Sequence, residues 1–302
     1  MPENIWTIVG AGDALGGLEA LIEERRRLGP VCVAESLDQV PAAATCVMQV
    51  GGAAPPSIFL SLPTATTRNG RRVPIGWLPA DRKNGLLAYA SAASRVVRRQ
   101  ALGLKSGPAV LLGQWHERTL NLVDAVEGLV DLSRFRWTAE RLVRRDLLSA
   151  LRCGPGVALY FGHALSGGWV GYGGVAAETL IANCGEPLGA VVSIACETAR
   201  RPEGRPSFCE ELVLGGYCAA ALGASARTLH EHNRILARGL CSALGRAQSL
   251  GDALRLAEVP DEFFSHYRIF GDPAAPLLGA EHAEDAAKQV FAPAPDYLLK
   301  SS

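Results

Sequence analysis

Residues 157–174 read VALYFGHALSGGWVGYGG, and after a short helical pattern residues 189–198 read GAVVSIACET. The apolar runs Val157–Phe161 and Ala190–Ala195 are short, rich in β-forming residues and bounded by glycine or a turn. That pattern is typical of strands that are buried on both faces of a parallel sheet. The stretch therefore predicts an α/β fold, and the rest of the chain is interpreted around it.

Each of these two predicted strands leads into a chemically active side chain. His163 follows the first strand and Cys196 follows the second. Reaction sites of open α/β sheets lie beyond the carboxyl ends of the strands, so neighbouring parallel strands would bring the two side chains together. A cysteine nucleophile needs such a base, because its free thiol is mostly protonated at neutral pH. The alternative is that Cys196 is an inert core residue, one of eight cysteines in the chain.

Composition excludes several classes of protein. The 302 residues are 48% hydrophobic and 20% charged, as expected of a well-cored globular protein, and 30 basic residues balance 30 acidic ones. This zero net charge predicts neither nucleic-acid binding nor attachment to an anionic membrane. No leader peptide and no apolar run of membrane-spanning length is visible. The cysteines form no CxxC pair, which favours free thiols in a reducing cytoplasm over a metal site. No metal and no cofactor are predicted.

The chain contains no internal repeat and no strong linker. We therefore expect one domain over residues 1–280 and a tail over residues 281–302. Helices are predicted over Asp13–Leu28, over Thr138–Leu151 with Thr138 as N-cap, and over Ser207–Leu214, where Ser207 and Glu210 have the spacing of a capping box.

A glycine-rich turn near the N-terminus suggests a second interpretation. Gly10, Gly12 and Gly16 lie between a predicted strand and a predicted helix, and Glu35 follows the next strand. This arrangement approaches a dinucleotide fingerprint, although Leu15 occupies the position of its strict third glycine. An NAD(P)-binding enzyme therefore stays as an alternative, and it requires an open phosphate-sized crevice at the start of the Asp13–Leu28 helix.

Six segments, taken together, resemble a known family. They are, in chain order, VPIGWLPA at 73–80, LLGQWHE at 111–117, ALYFGHA at 158–164, SIACET at 193–198, SFCEELVLGGYCAAALGAS at 207–225 and FGDPAAPL at 270–277. ALYFGH resembles the histidine motif of gingipain-type peptidases, and ACET is similar to the cysteine motif of the CHAT branch. Both branches belong to the caspase-like (clan CD) cysteine peptidases. Two departures are Ala164, where the family has glycine, and Trp77, where it usually has arginine.

The resemblance implies a fold and a set of roles. The fold is a three-layer α/β/α sandwich around a mostly parallel sheet. Carried over by position, Cys196 is the nucleophile and His163 the acid/base, and the backbone N–H groups of Ala164 and Cys196 bind the oxyanion. If the family glycine needs a positive φ, Ala164 would be strained there.

Three further residues are candidates for the substrate pocket or for orienting His163. Glu117 follows a strand that should lie near the site, but an acid in the first turn of a helix is also favoured by the helix dipole. Asp13 is a second acid that would suit a basic substrate residue. Trp169, in the loop after His163, would wall a substrate subsite or be an ordinary edge aromatic.

We therefore predict a cytoplasmic, bacterial-type cysteine endopeptidase that cleaves a protein or peptide. The resemblance also implies that a regulatory partner protein, a gating loop or processing controls the activity. A weak or inactive caspase-like scaffold is the first alternative, and the NAD(P)-binding enzyme is the second.

Overall fold

The computed structural model describes residues 4–52, 63–104, 106–202 and 205–290. The sequence also predicts a short extended piece at residues 58–62. This piece and the last residues of the predicted tail lie outside the described ranges.

The strands alternate with helices along most of the chain. The strands are β1 (Ile5–Val9), β2 (Val31–Ala34), β3 (Ala44–Val50), β4 (Thr64–Thr66), β5 (Arg72–Leu78), β6 (Ala109–Gly113), β7 (Arg134–Arg136), β8 (Val157–Phe161), β9 (Ala164–Leu165), β10 (Gly168–Trp169), β11 (Val175–Ala176), β12 (Leu188–Ile194), β13 (Cys218–Ala224) and β14 (Tyr267–Gly271).

The helices differ widely in length, from one turn to five. They are α1 (Gly12–Leu15), α2 (Glu19–Leu28), α3 (Lys83–Ala101), α4 (Glu117–Glu127), α5 (Arg144–Leu151), α6 (Ala177–Ala182), α7 (Phe208–Leu214), α8 (His230–Leu244), α9 (Leu250–Leu256), α10 (Asp261–Phe264) and α11 (Ala283–Gln289).

The main sheet has the strand order β2-β1-β3-β5-β14-β13-β12-β8-β6-β7, with β4 paired to β5. Neighbours in that order are parallel except β14 and β13, which are antiparallel. The sheet therefore consists of two parallel halves that run in opposite directions. The carboxyl ends of β13, β12, β8 and β6 meet at one edge, and those of β1, β3 and β5 meet at the opposite edge.

Helices flank the sheet in two packed groups. One group contains α2, α3, α6 and α7, and the other contains α4, α8, α9 and α10. β8 and β12 are buried along their whole length, as their uninterrupted apolar runs predict. The predicted three-layer α/β/α architecture is confirmed. A sheet of β9, β10 and β11 stands apart from the main sheet and follows directly from β8.

Two of the predicted helices differ from those observed. The helix predicted over Asp13–Leu28 is divided into α1, a 3-10 turn at Gly16–Leu18 and α2. Two consecutive glycines, Gly16 and Gly17, lie at the break, where glycine is a poor helix former.

The helix predicted over Thr138–Leu151 begins only at Arg144, with Val143 as its N-cap, so the cap assigned to Thr138 is wrong. The residues around Thr138 extend the sheet instead. The N–H of Trp137 donates to Leu111 and that of Ala139 donates to Gly113. By contrast, the capping box of Ser207 and Glu210 at α7 is confirmed.

Part of the predicted tail is ordered. Residues 283–289 form α11, and Ala283 and Ala287 are almost completely buried. The buried alanines pack this helix onto the body of the molecule.

Candidate active site

The register of two neighbouring strands brings His163 and Cys196 to the same place. β8 and β12 are parallel neighbours, and Phe161 pairs with Ile194 at their carboxyl ends. His163 and Cys196 each lie two residues beyond that pair. The two side chains therefore leave the same edge of the sheet from adjacent strands, as the sequence predicts.

The backbone of His163 is fixed by three hydrogen bonds. Its N–H donates to Gln114 Oε1 at 2.9 Å, and its carbonyl accepts from Tyr160 Oη at 2.9 Å and from the Val170 N–H at 3.0 Å. The side chain itself is exposed. The imidazole is thus an accessible group on an immobilised backbone, although sequence reasoning assigned no role to Gln114 or Tyr160.

Gly162, directly before His163, has no room for a side chain. Its φ is 149°, and a Cβ at this position would lie 2.7 Å from Tyr160 Oη and 2.8 Å from Gln114 Cβ. These are the two side chains that hold the His163 backbone. A glycine is required here because any larger residue would displace them.

Cys196 is half-buried, and its sulfur contacts Thr228. The Thr228 N–H donates to Cys196 Sγ at 3.4 Å, Thr228 Oγ1 is 3.6 Å from the sulfur, and the thiol donates to the Thr228 carbonyl at 3.8 Å. Both residues are described, and no hydrogen bond joins Cys196 Sγ to the His163 ring. Sequence reasoning missed Thr228, because it lies 32 residues further along the chain and belongs to no site motif.

Glu197, the residue after Cys196, connects two segments of the site. Glu197 has a φ of 60°, in the left-handed region, and its N–H donates to the Ala226 carbonyl at 3.2 Å. Its carboxylate pairs with Arg200 at 2.9 Å and with Arg227 at 3.6 Å. The segment between β13 and α8 is therefore held against the turn that carries Cys196.

Ala164 is free of the strain that a positive φ would impose. It lies in β9, where it pairs with Trp169, and its φ is not positive. The Val170 N–H bonds the His163 carbonyl, so alternation along an antiparallel pair puts Ala164 at a non-hydrogen-bonded position. Its N–H consequently points away from β10.

Trp169 is packed as part of the core. It is 2% exposed and stacks on Tyr160 with ring centroids 4.6 Å apart. Its indole N–H donates to Ser193 Oγ at 2.9 Å. It also lines a cavity of about 690 Å³ that includes Leu165 and Phe208 but neither His163 nor Cys196.

Glu117 is the first residue of α4 and is exposed, as the helix-dipole interpretation expects. Its neighbour His116 caps the helix by accepting the N–H of Arg118 at 3.3 Å. The His116 and His163 rings meet edge to face, with centroids 6.3 Å apart. The start of α4 therefore lies beside His163, and His116 is the residue of this segment that contacts it.

Asp13 is not brought to this site. It follows β1, whose carboxyl end lies at the opposite edge of the sheet, and four strands separate β1 from β12. Its carboxylate accepts the N–H of Ala14 at the start of α1. The proposed role of Asp13 in a substrate pocket therefore has no support from the geometry.

The glycine-rich turn near the N-terminus has a packing explanation. A Cβ at Gly10 would lie 2.8 Å from the Val50 carbonyl, so Gly10 permits β1 and β3 to approach at their ends. The helix that follows, α1, has only four residues, too short for the helix N-terminus of a dinucleotide site.

Six of the other seven thiols are poor nucleophiles because burial raises their pKa. The values rise to about 12 for Cys46 and Cys241 and to about 11 for Cys153. The pKa values of Cys184, Cys209 and Cys218 are raised for the same reason. Within the described ranges, no group of three potential metal ligands comes together, and no helix is long and apolar enough to cross a bilayer.

Comparison with known proteins finds the same fold in solved structures. The chain aligns with the structure of the Arg-specific cysteine proteinase gingipain R (RgpB) at a TM-score of 0.66 and 11% identity, over 90% of this chain and 78% of that one. A complex of the Porphyromonas gingivalis RgpB pro- and mature domains gives a TM-score of 0.68 at 11% identity, covering 91% and 79% of the two chains. These similarities show the shared fold. No curated protein matches the chain.

The model of peptidase family C25 matches residues 115–278, which is more than half of the chain and contains both His163 and Cys196. The chain therefore belongs to peptidase family C25, the gingipain family, and is a cysteine peptidase of the caspase-like fold.

Proposed function

We propose that the protein is an endopeptidase in which Cys196 and His163 form the catalytic dyad. The observation that carries this proposal is the matched register of β8 and β12, which delivers both residues to one sheet edge. The exposed His163 ring on its fixed backbone supports the assignment, since a ring that must reach both the thiol and the substrate needs access to solvent.

In this mechanism the Cys196 thiol transfers its proton to His163, and the resulting thiolate attacks the carbonyl carbon of the scissile bond. The tetrahedral intermediate collapses as the imidazolium gives its proton to the leaving amine. Water, deprotonated by His163, then hydrolyses the thioester and restores the thiol. Because the sulfur contacts Thr228 in the resting structure, the side chains of the dyad must approach each other when substrate binds.

Two backbone N–H groups are proposed to bind the oxyanion. The N–H of Ala164 is directed away from its hairpin partner, and the N–H of Cys196 has no hydrogen-bond partner among the described residues. The first belongs to the residue after His163, and the second belongs to Cys196 itself. Such donors stabilise the charge that develops on the carbonyl oxygen.

The remaining assignments concern the surroundings of the dyad. We propose that Glu117, at the start of α4, contributes to the substrate pocket or to the orientation of His163 through the neighbouring His116. Trp169 is proposed as a wall of the adjacent cavity.

The eight free thiols suit a reducing, cytoplasmic location. RgpB has a structure with its pro-domain bound, and we propose that a partner or segment likewise regulates this peptidase.

The dyad predicts two losses of activity. Cys196→Ala should reduce cleavage of an unfolded protein substrate to background, because it removes the nucleophile. His163→Ala should reduce it by about 10²–10⁴-fold, the usual contribution of a general acid–base group. Initial rates of cleavage, together with mass-spectrometric mapping of iodoacetamide labelling, measure both effects.

Cys32→Ala is the matched control, because Cys32 is also half-buried but lies on the edge strand β2. It should leave cleavage unchanged. Wild-type activity in Cys196→Ala would reject the dyad. A Cys196 that is no more reactive than Cys32, in a protein without activity, would favour the inactive scaffold.

A further inference from the structure

The Cys196 sulfur has polar neighbours in the segment between β13 and α8. The Thr228 N–H and hydroxyl lie 3.4 Å and 3.6 Å from its sulfur. We infer that Thr228, backed by the buried Tyr267–Asn233 pair, is a positioning residue that aims two hydrogen-bond donors at the Cys196 sulfur. This inference rests on the proposed function of Cys196 as the nucleophile.

The support behind Thr228 is buried and polar. Tyr267, the first residue of β14, is fully buried, and its hydroxyl donates to Asn233 Oδ1 on α8 at 2.8 Å. The same tyrosine hydroxyl lies close to Thr228 and to Cys196. A buried phenol needs such partners, because an unpaired hydroxyl costs free energy in the core. The Tyr267–Asn233 pair is therefore a buried polar support close to Thr228 and Cys196.

The direction of these hydrogen bonds determines how the Thr228 hydroxyl acts on the Cys196 sulfur. Because the Tyr267 hydroxyl gives its proton to Asn233, its oxygen is left to accept from Thr228. In the thiol state, Cys196 is a weak donor, and the Thr228 hydroxyl is free to donate to Tyr267. In the thiolate state, the same hydroxyl can turn to the sulfur and join the Thr228 N–H, and hydrogen bonds to a charged acceptor are the stronger ones.

The backbone just before Thr228 is fixed by two hydrogen bonds. Ser225 donates its N–H to the His266 carbonyl at 2.7 Å, and the Ala226 carbonyl accepts the N–H of Glu197. The charged and titratable groups that face Cys196 are then His163 from β8, Glu197 with Arg200 from its own turn, Arg227 from the Thr228 segment and Tyr267 from β14. Among these elements, Thr228 is the residue whose donors reach the sulfur.

The test is the pH dependence of Cys196 alkylation by iodoacetamide, followed by mass spectrometry, together with kcat/KM for the protein substrate. Thr228→Val keeps the N–H and the side-chain shape but removes the hydroxyl. It should shift the labelling midpoint upward by about one pH unit, since the thiolate loses a donor, and reduce labelling at neutral pH by about tenfold. Thr228→Ser, which keeps the hydroxyl, should label like the wild type.

Tyr267→Phe should shift the midpoint downward, because the Thr228 hydroxyl loses the acceptor that competes with the thiolate for its proton. Tyr217→Phe is the matched control: Tyr217 is also buried, and its hydroxyl has no hydrogen-bond partner among the described residues. Its labelling profile should be that of the wild type.

An unchanged midpoint and kcat/KM in a folded Thr228→Val protein would overturn the inference. So would equal effects of Tyr217→Phe and Tyr267→Phe, or a wild-type Cys196 that is unlabelled at every pH. The failure of the proposed function looks different: Cys196→Ala would retain cleavage, while the labelling profile would still report on Thr228.

Discussion

At the scale of single residues, the site depends on which positions next to His163 tolerate a side chain. Gly162 precedes His163 in a positive-φ conformation, with Tyr160 and Gln114 against its Cα. Ala164 follows His163 in an extended strand and is nearly buried. The resemblance directed attention to Ala164, because the family has glycine there. The structure shows instead that Gly162 is the position at which a side chain does not fit.

Gly162→Ala should therefore reduce activity by more than tenfold. The new methyl group would displace Tyr160 or Gln114, which hold the His163 backbone, and a positive φ is costly for alanine. Cleavage rates and the melting temperature measure the two consequences. Gly167→Ala, in the same hairpin, is the control because a Cβ there meets no atom within 4 Å.

Ala164→Gly should not raise activity, although it restores the family residue. The extended backbone gains nothing from glycine, which costs roughly 0.5–1 kcal/mol in a regular element. Activity well above the wild type in this variant would contradict the role that we assign to Gly162.

At the scale of elements, α2 and α3 are joined through one carboxylate. Glu24 of α2 is 5% exposed and bonds Arg98 of α3 at 2.6 Å and Arg27 at 2.8 Å. The hydrogen bond from Arg98, followed by the charges of both arginines, holds the pKa of Glu24 below its ordinary value of 4.5. The ionised form therefore stabilises the contact between the two helices.

A lowered pKa makes this contribution depend on pH. It is present above the unfolded value of about 4.5 and is lost as the pH falls through the lower folded pKa. Glu24→Gln should therefore lower the free energy of unfolding at pH 7 by on the order of 1 kcal/mol, since both arginines are more than half exposed and water screens them. The stabilities of the variant and the wild type, measured by urea unfolding, should converge in acid, below the lowered pKa of Glu24.

Glu23→Gln is the control, because Glu23 is 58% exposed and its pair with Arg27 is long, at 3.7 Å. We expect almost no change at either pH. A difference between Glu24→Gln and the wild type that persists in acid would point to packing rather than charge.

At the scale of the whole molecule, β14 joins two halves of the sheet that run in opposite directions. Asp272, directly after β14, is fully buried and accepts from Trp6 Nε1 and Arg25 Nε at 3.0 Å each and from the Ala274 N–H at 2.9 Å. It thereby connects the end of the domain to β1 and α2, some 250 residues earlier. The FGDPAAPL segment therefore links the end of the domain to its first strand and to α2.

Asp272→Asn should destabilise the fold by about 3–5 kcal/mol, because it leaves the buried Arg25 guanidinium without its counter-charge. Chemical denaturation measures the loss. The double variant Arg25→Met with Asp272→Asn should recover part of it, since no unpaired charge is then buried. A single variant as stable as the wild type would show that Arg25 reaches solvent or another acceptor.

The sequence by itself determined the strands β8 and β12, the capping box of α7 and the placement of His163 and Cys196 at one edge of the sheet. These features depend on local patterns, on apolar runs and turn residues, and on the rule that neighbouring parallel strands end together. It also carried the family resemblance, which the match to residues 115–278 confirms. Short elements such as β7 and the strands β9–β11 were not predicted, because two or three residues carry no periodic signal.

Only the tertiary structure decided the rest. Because β14 is antiparallel to β13, Asp13 lies at the far edge of the sheet. The direction of a strand cannot be predicted from a local sequence pattern. Thr228 meets Cys196 from 32 residues away, and Asp272 meets Trp6 from the other end of the chain. Such contacts depend on strand order and on packing across the sheet, which arise only when the whole chain has folded.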